Sequence, residues 1–160
     1  MTELETLKYI REKYGSMIES AAHAYNHRPE VIAGMIHRES EGGFTLDANG
    51  KGDGGHGHGL MQIDDRSFPQ FCQSEDWRDP VLNIKMGALI LAAKRRYIIN
   101  HCPGLRPERI ERATIAAYNS GEGNVSILIE AGIDVDSKTA HGNYSRDVLR
   151  RAELYRNLEA

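Results

Sequence analysis

Three carboxylates in the first half of the chain could share one reaction. Glu39 lies near the end of Pro29-Glu30-Val31-Ile32-Ala33-Gly34-Met35-Ile36-His37-Arg38-Glu39-Ser40-Glu41. This segment opens with proline at a natural first helical position and stops at Gly42-Gly43. Stepping roughly 100° per residue gathers Val31, Ile32, Met35 and Ile36 on one stripe. Glu39 falls near the middle of that stripe and in the last turn. Apolar neighbours raise a carboxyl pKa, and a helix C-terminus carries partial negative charge, so both features favour the protonated form. A carboxylic acid kept neutral near pH 7 is what a general acid requires. The same wheel turns Glu41 to solvent, which makes it an internal control. Taken by itself, the helix is equally compatible with a buried Glu39 tied to a Lys or Arg.

The other two carboxylates follow. Gly59-Leu60-Met61-Gln62-Ile63-Asp64 alternates if extended, with Met61 and Ile63 toward the core and Leu60, Gln62 and Asp64 on the opposite face. Asp64 then shares a face with Gln62, and Asp65 points elsewhere. Upstream, Asp53 is embedded in Gly52-Asp53-Gly54-Gly55, where glycines let backbone approach a ligand closely. One neutral acid with one or two ionised carboxylates in a glycine-shaped cleft fits glycoside hydrolysis.

The elements that must position these groups are mostly helices. Leu4, Leu7, Ile10, Tyr14, Met17, Ile18, Ala21 and Ala22 recur at helical spacing and predict a helix over 3–26, followed by the one carrying Glu39 over 29–41. Residues 42–59 hold eight of the chain's 16 glycines, a density no helix survives. That stretch reads as a long shaped loop or small hairpin region, and loops of such length inside compact domains are usually functional. Asp79-Pro80 gives an N-cap and a first-turn proline for a helix running to about Asn100. Its middle, Met86 to Ala93, is apolar on every side, which predicts a buried central helix. Further helices are expected from Pro107 to about Ser120, near 123–131 and near 145–158. The fold class expected is mainly α, one domain over residues 1–160, with any strand confined to a short β/loop region around 44–66.

Composition narrows the function classes. A chain of 160 residues with 40% hydrophobic and 27% charged content reads as an ordinary globular protein. A net charge of −3 and a pI near 6.2 give no electrostatic case for nucleic acid. The longest apolar run, Met86 to Ala93, is too short for membrane insertion, and a monomer is expected. Met1-Thr2-Glu3-Leu4-Glu5 is acidic and has no apolar signal core, so localisation stays open between export through a removed leader, a carrier domain and phage-type release. Cys72 and Cys102 are too few for a disulfide framework, and two reduced thiols are favoured over one bridge.

Taken in order, Glu39-Ser40, Gly52-Asp53, Gly57-His58-Gly59-Leu60-Met61-Gln62-Ile63-Asp64-Asp65-Arg66-Ser67 and Ala117-Tyr118-Asn119-Ser120-Gly121 resemble the goose-type lysozymes of glycoside hydrolase family 23, a family shared with lytic transglycosylases. The ordered motifs cover roughly residues 28–155. The resemblance implies a lysozyme-like α-rich fold with a substrate cleft and cleavage of β-1,4 links in peptidoglycan or a chitin-type oligosaccharide, with no cofactor. It implies Glu39 as general acid, Asp53 and Asp64 placing the attacking water, Gln62, Tyr118 and Asn119 lining the cleft, and Tyr144 near the acid. Lytic transglycosylases usually lack the aspartate pair, so the resemblance favours hydrolysis. Phe68 stands where the family usually has a histidine, a departure that bears on one substrate contact and not on the acid.

Other readings compete for the same residues. His56 and His58 in Gly55-His56-Gly57-His58-Gly59 have no Glu or Cys beside them at ligand spacing, so no metal is expected, and a solvent-exposed loop or a sugar contact at His58 is preferred. The run Asp47 to Asp53 places Lys51 at a calcium-ligand position and His58 where a bidentate Glu belongs, and is rejected as a calcium loop. Asn119-Ser120-Gly121 is also what simply terminates a helix. Trp77 is equally suited to stacking on a sugar or to packing. A non-catalytic glycan-binding module on the same fold remains the rival function class, against which a buried acid counts.

Overall fold

The computed structural model describes residues 1–158 and is mainly α. Its helices are α1 (Glu3–Tyr25), α2 (Pro29–Ser40), α3 (Pro69–Gln73), α4 (Pro80–His101), α5 (Pro107–Ser120), α6 (Glu122–Glu130) and α7 (Tyr144–Arg156). The strands are β1 (Lys51–Gly52), β2 (Gly57–His58) and β3 (Ile63–Asp64), all inside the expected region. They form one antiparallel sheet in the order β1-β2-β3, with Lys51 opposite His58 and Gly57 opposite Asp64. The chain divides into two compact units, Met1–Ala88 with the described part of Arg151–Ala160, and Leu89–Arg150.

In the first unit α1 packs against α2. Thr2 caps α1: its hydroxyl accepts from the Glu5 N–H at 3.2 Å while the Glu5 carboxylate accepts from the Thr2 N–H at 2.7 Å. The buried stripe of α1 is Leu7, Ile10, Tyr14, Ile18, Ala21 and Ala22, and α2 buries Val31, Ile32, Met35 and Ile36. Helix α2 ends because Glu41, Gly42 and Gly43 all adopt left-handed backbone, at φ 48°, 71° and 102°. Asp79 caps α4 by accepting from the Val81 N–H at 2.9 Å, ahead of Pro80.

Helix α4 is not buried all round as its apolar middle predicts. Val81 and Leu89 are 48% and 42% exposed, and Lys85 and Ala93 continue the same solvent-facing stripe. An apolar side chain does not by itself dictate burial; position around the helix does. Helix α3 has five residues, too few for a periodic signal to reveal. Both cysteines are free. Partial burial, with Asp65 and Asp64 nearby, pushes the Cys72 thiol up to about 11.

The second unit closes on Ile98, Ala113, Ala116, Ala117, Val125 and Val135. Its polar anchor is Asp136, whose side chain is fully buried. Asp136 accepts from the Ser145 N–H and hydroxyl, both at 2.8 Å, from the Arg146 N–H at 3.2 Å and from the Arg112 guanidinium at 3.3 Å. A carboxylate from a preceding loop thus caps the start of α7 and complements its dipole. Burial works to raise the Asp136 pKa, but the Ser145, Arg146 and Arg112 donors outweigh it and hold the carboxyl below its ordinary value.

That direction fixes the pH dependence. A depressed folded-state pKa gives stability that is present above the unfolded value of about 3.9 and lost as pH falls through the lower folded value. Asp136→Asn is therefore expected to lower stability at pH 7 by about 1–3 kcal/mol, because the buried Ser145 N–H and hydroxyl lose a charged acceptor. It should also flatten the acid-side loss that the parent protein shows below about pH 4. Urea titrations at pH 7, 5 and 3 on both proteins check this.

Candidate active site

The last turn of α2 carries Glu39, which is half-buried, whereas Glu41 is exposed. Ser40, directly after Glu39, is fully buried, and its hydroxyl donates to the Leu60 carbonyl at 2.8 Å. That bond ties the helix end to the segment leading to Asp64. The segment is in turn held by Asn83 of α4, also fully buried. The Asn83 amide donates to the His58 carbonyl at 2.9 Å and the Trp77 carbonyl at 3.0 Å, and its oxygen accepts from the Met61 N–H at 2.9 Å. Gly59, at φ 74°, lies so close to Asn83 that a Cβ would overlap the amide.

The alternation expected for 59–64 holds only in part. Met61 and Ile63 are buried as expected, but Leu60 is 7% exposed and belongs to the core too. Gln62 adopts left-handed backbone at φ 52°, so the chain turns through 59–62 and is extended only at Ile63–Asp64. The turn is closed by the Gln62 N–H donating to the Gly59 carbonyl at 3.0 Å. The Gln62 side-chain amide donates to that carbonyl too, at 3.0 Å. Its oxygen lies where a Cβ on Gly52 or Gly57 would stand. Neither glycine has positive φ, so what a Cβ at either would meet is the Gln62 amide rather than strain in its own backbone.

Asp53 and Asp64 meet at Arg66, to which the sequence reading gave no role. Its guanidinium donates from Nε to Asp64 at 3.0 Å and from a terminal nitrogen to Asp53 at 3.0 Å. Asp64 also accepts from the Arg66 N–H at 3.0 Å. Burial works to raise the Asp64 pKa, but these Arg66 donors prevail and keep the carboxyl below its usual value. Asp53 is exposed, at φ 50°, in a tight turn between β1 and β2. Asp65, expected to point elsewhere, instead pairs with the His56 ring at 2.9 Å and brings a carboxylate oxygen within 4.8 Å of one on Asp64.

His58 is 3% exposed, which corrects the expectation of a solvent-exposed loop side chain. Its ring meets Trp77 edge-on, with centroids 4.7 Å apart, and its Nδ1 lies 2.9 Å from the His56 carbonyl. Trp77 is itself buried under the Arg78 guanidinium, 4.3 Å from the ring centroid, so packing accounts for it. His56, Asp64 and Asp65 are close enough to offer atoms to a cation, but the Arg66 and His56 pairings already occupy the two carboxylates.

In the second unit Tyr118 is half-buried and Asn119 is exposed at the end of α5. Asn119 does more than end a helix: its side-chain oxygen accepts from the Ala140 N–H at 2.9 Å. Tyr144, the first residue of α7, is 1% exposed, and its N–H donates to the Thr139 hydroxyl at 3.2 Å. Sequence reasoning missed Arg66, Asn83 and Asp136. An arginine two residues after Asp64 was a legible signal for the first; nothing local marks the other two.

The Gln62 wedge can be tested by a double-mutant cycle. Gly57→Ala alone should destabilise by about 1–3 kcal/mol through overpacking. In a Gln62→Ala background, where the obstructing amide is gone, the same change should cost almost nothing. Equal losses in both backgrounds, read by chemical denaturation, would mean that Gly57 is required for another reason.

The "Lysozyme g" family model matches residues 4–158. The chain is 34% identical to "Lysozyme G" of Dromaius novaehollandiae over 145 residues, covering 91% of this chain and 67% of that protein. It is 35% identical to "Lysozyme g" of Gallus gallus over 144 residues, covering 90% and 64% of the two chains. Against "Lysozyme g" of Takifugu rubripes the identity is 36% over 149 residues, covering 91% and 75%. Carried on a mainly α fold with a small three-stranded sheet, the match over nearly the whole chain places it: the protein belongs to the lysozyme g family of glycoside hydrolases.

Proposed function

We propose that the chain, acting as one catalytic domain over residues 1–160, hydrolyses β-1,4 glycosidic bonds of peptidoglycan with inversion at the anomeric carbon. Glu39 donates its proton to the leaving glycosidic oxygen. Asp64 and Asp53 hold a water on the opposite side of the sugar ring. One of these aspartates takes the water's proton as its oxygen bonds to the anomeric carbon and the glycosidic bond breaks. Glu39 leaves the step ionised and the aspartate protonated, and exchange with solvent resets both. Substrate-binding roles are assigned to Gln62, Tyr118, Asn119, Tyr144 and His58, with Gln62 and His58 acting through the shape of the loop they brace.

The observation that carries this reading is the meeting of Asp53 and Asp64 at one guanidinium, on a loop joined to the Glu39 helix end by Ser40. Two carboxylates brought to one guanidinium suit the binding of water, and an acid on a separate element suits protonation from the other side. In inverting enzymes the acid and base carboxyls stand about 6.5–9.5 Å apart, room enough for that water. The resemblance assigns Asp53 and Asp64 to the family's aspartate pair, which favours water over an internal sugar hydroxyl as nucleophile.

Glu39→Gln is expected to lower turnover about 10²–10⁴-fold with the melting temperature preserved, while Glu41→Gln leaves activity unchanged. Mass spectrometry of peptidoglycan digests should give reducing ends, and NMR should show the α-anomer forming first. An active Glu39→Gln protein would remove Glu39 as the acid. Products with 1,6-anhydro ends would make the chain a lytic transglycosylase, and cleavage confined to chito-oligosaccharides would make it a chitinase.

A further inference from the structure

We propose that Arg66 is the positioning residue of this site, its guanidinium holding Asp53 and Asp64 together so that carboxylates from two separate segments serve one water. The proposal rests on the reading above that these aspartates handle the nucleophile. Asp64 is set by β3, a strand paired with β2 and backed by the core residue Ile63. Asp53 follows the two-residue β1, and its carbonyl accepts from the His56 N–H at 3.2 Å, but its side chain is 70% exposed. It stands in the glycine turn Gly52-Asp53-Gly54-Gly55, exposed and in left-handed backbone. Left to themselves, two carboxylates repel, and the free choice for Asp53 is to swing toward solvent.

Arg66 prevents this from a position that Asp64 itself fixes. The Asp64 carboxylate accepts from the Arg66 N–H at 3.0 Å, and the Asp64 carbonyl accepts from the N–H groups of Ser67 at 3.2 Å and Phe68 at 2.8 Å. The chain is thereby folded back so that the Arg66 side chain returns across Asp64 and reaches Asp53, 13 residues upstream. A planar guanidinium with donors in a rigid fork can serve both carboxylates at defined angles; a lysine ammonium offers one point charge on a flexible stem. Around this cluster stand Asp65 and His56, which are paired to each other, and the Cys72 thiol, which lies behind Asp64 on the Ile63 carbonyl and feels the Lys51 ammonium as well as Asp65 and Asp64.

The arrangement is one of geometry rather than of stability. Arg66 and Asp53 side chains are 59% and 70% exposed, and exposed ion pairs hold a fold together weakly. Losing Arg66 should leave the melting temperature in place and act on turnover and on its pH profile. Arg66 donors keep the Asp64 carboxyl below its usual value. Removing them lets that pKa rise, so the acid limb of the kcat profile should move to higher pH.

The experiment compares the parent protein with Arg66→Gln and Arg66→Lys, each alone and combined with Asp53→Asn, on a defined peptidoglycan oligosaccharide. Asp64→Asn and Glu39→Gln serve as separate controls. Arg66→Gln is expected to lower kcat up to about 10²-fold, the scale of a catalytic group displaced by about 1 Å, with KM little changed and the acid limb shifted upward. Arg66→Lys should recover part of kcat and keep the acid limb near its original place. Asp53→Asn should lower kcat in the parent but add nothing in the Arg66→Gln background, where Asp53 is already released. A normal kcat and an unmoved acid limb in Arg66→Gln would overturn the proposal, as would an undiminished effect of Asp53→Asn in that background. A fully active Asp64→Asn or Glu39→Gln protein would instead overturn the functional reading, which keeps the two failures distinct.

Discussion

Everything around the carboxylates depends on one buried amide, that of Asn83. Residues 42–59 carry half of the glycines of the chain, and ordering backbone costs about 1–2 kcal/mol per residue. Strands of two residues cannot supply that from their own ladder. Asn83 supplies a fixed point instead, joining the His58 and Trp77 carbonyls and the Met61 N–H to one side chain on α4. A buried polar group in such a place is stable only when its hydrogen-bonding capacity is used, and here both the amide and the carbonyl of the side chain are engaged. Gly59 follows as a consequence, because any Cβ there would displace the amide.

A second layer of order builds outward from that point. Ser40 fastens the end of the Glu39 helix to the Leu60 carbonyl, and Gln62 wedges its amide against Gly52 and Gly57. Only then do the exposed charges matter. Asp64 is anchored in the sheet, Arg66 is folded back over it, and Asp53 is gathered last. The sequence of constraints runs from a buried amide through a packed turn to an exposed ion cluster. Each step is more accessible to solvent than the one before.

The helices were legible because their signals are local. Pro29, Pro80 and Pro107 mark first turns, and the 3.6-residue recurrence of Leu7, Ile10, Tyr14 and Ile18 marks the face α1 buries. The loop was legible as a region and not as a shape. Gln62 read as one member of an alternating strand, yet its left-handed backbone turns the chain there, and no periodicity encodes a single positive φ. Asn83 and Asp136 were invisible for a related reason. A polar residue on an apolar helix face, or in a loop before a helix, declares its role only through partners far away in sequence, such as Met61 for the one and Arg112 for the other. The charged residues of the site were visible as types and spacing, and the partner choice of Arg66 was not.

The claim most exposed to test is that the carboxylate-bearing loop is built before substrate arrives. Amide hydrogen exchange at the Met61 N–H, which Asn83 accepts at 2.9 Å, measures it directly. A preformed loop predicts that this amide exchanges only through openings close in free energy to global unfolding, alongside amides of the α1–α2 core. Exchange at the rate of a freely opening surface loop, with that core still protected, would contradict it.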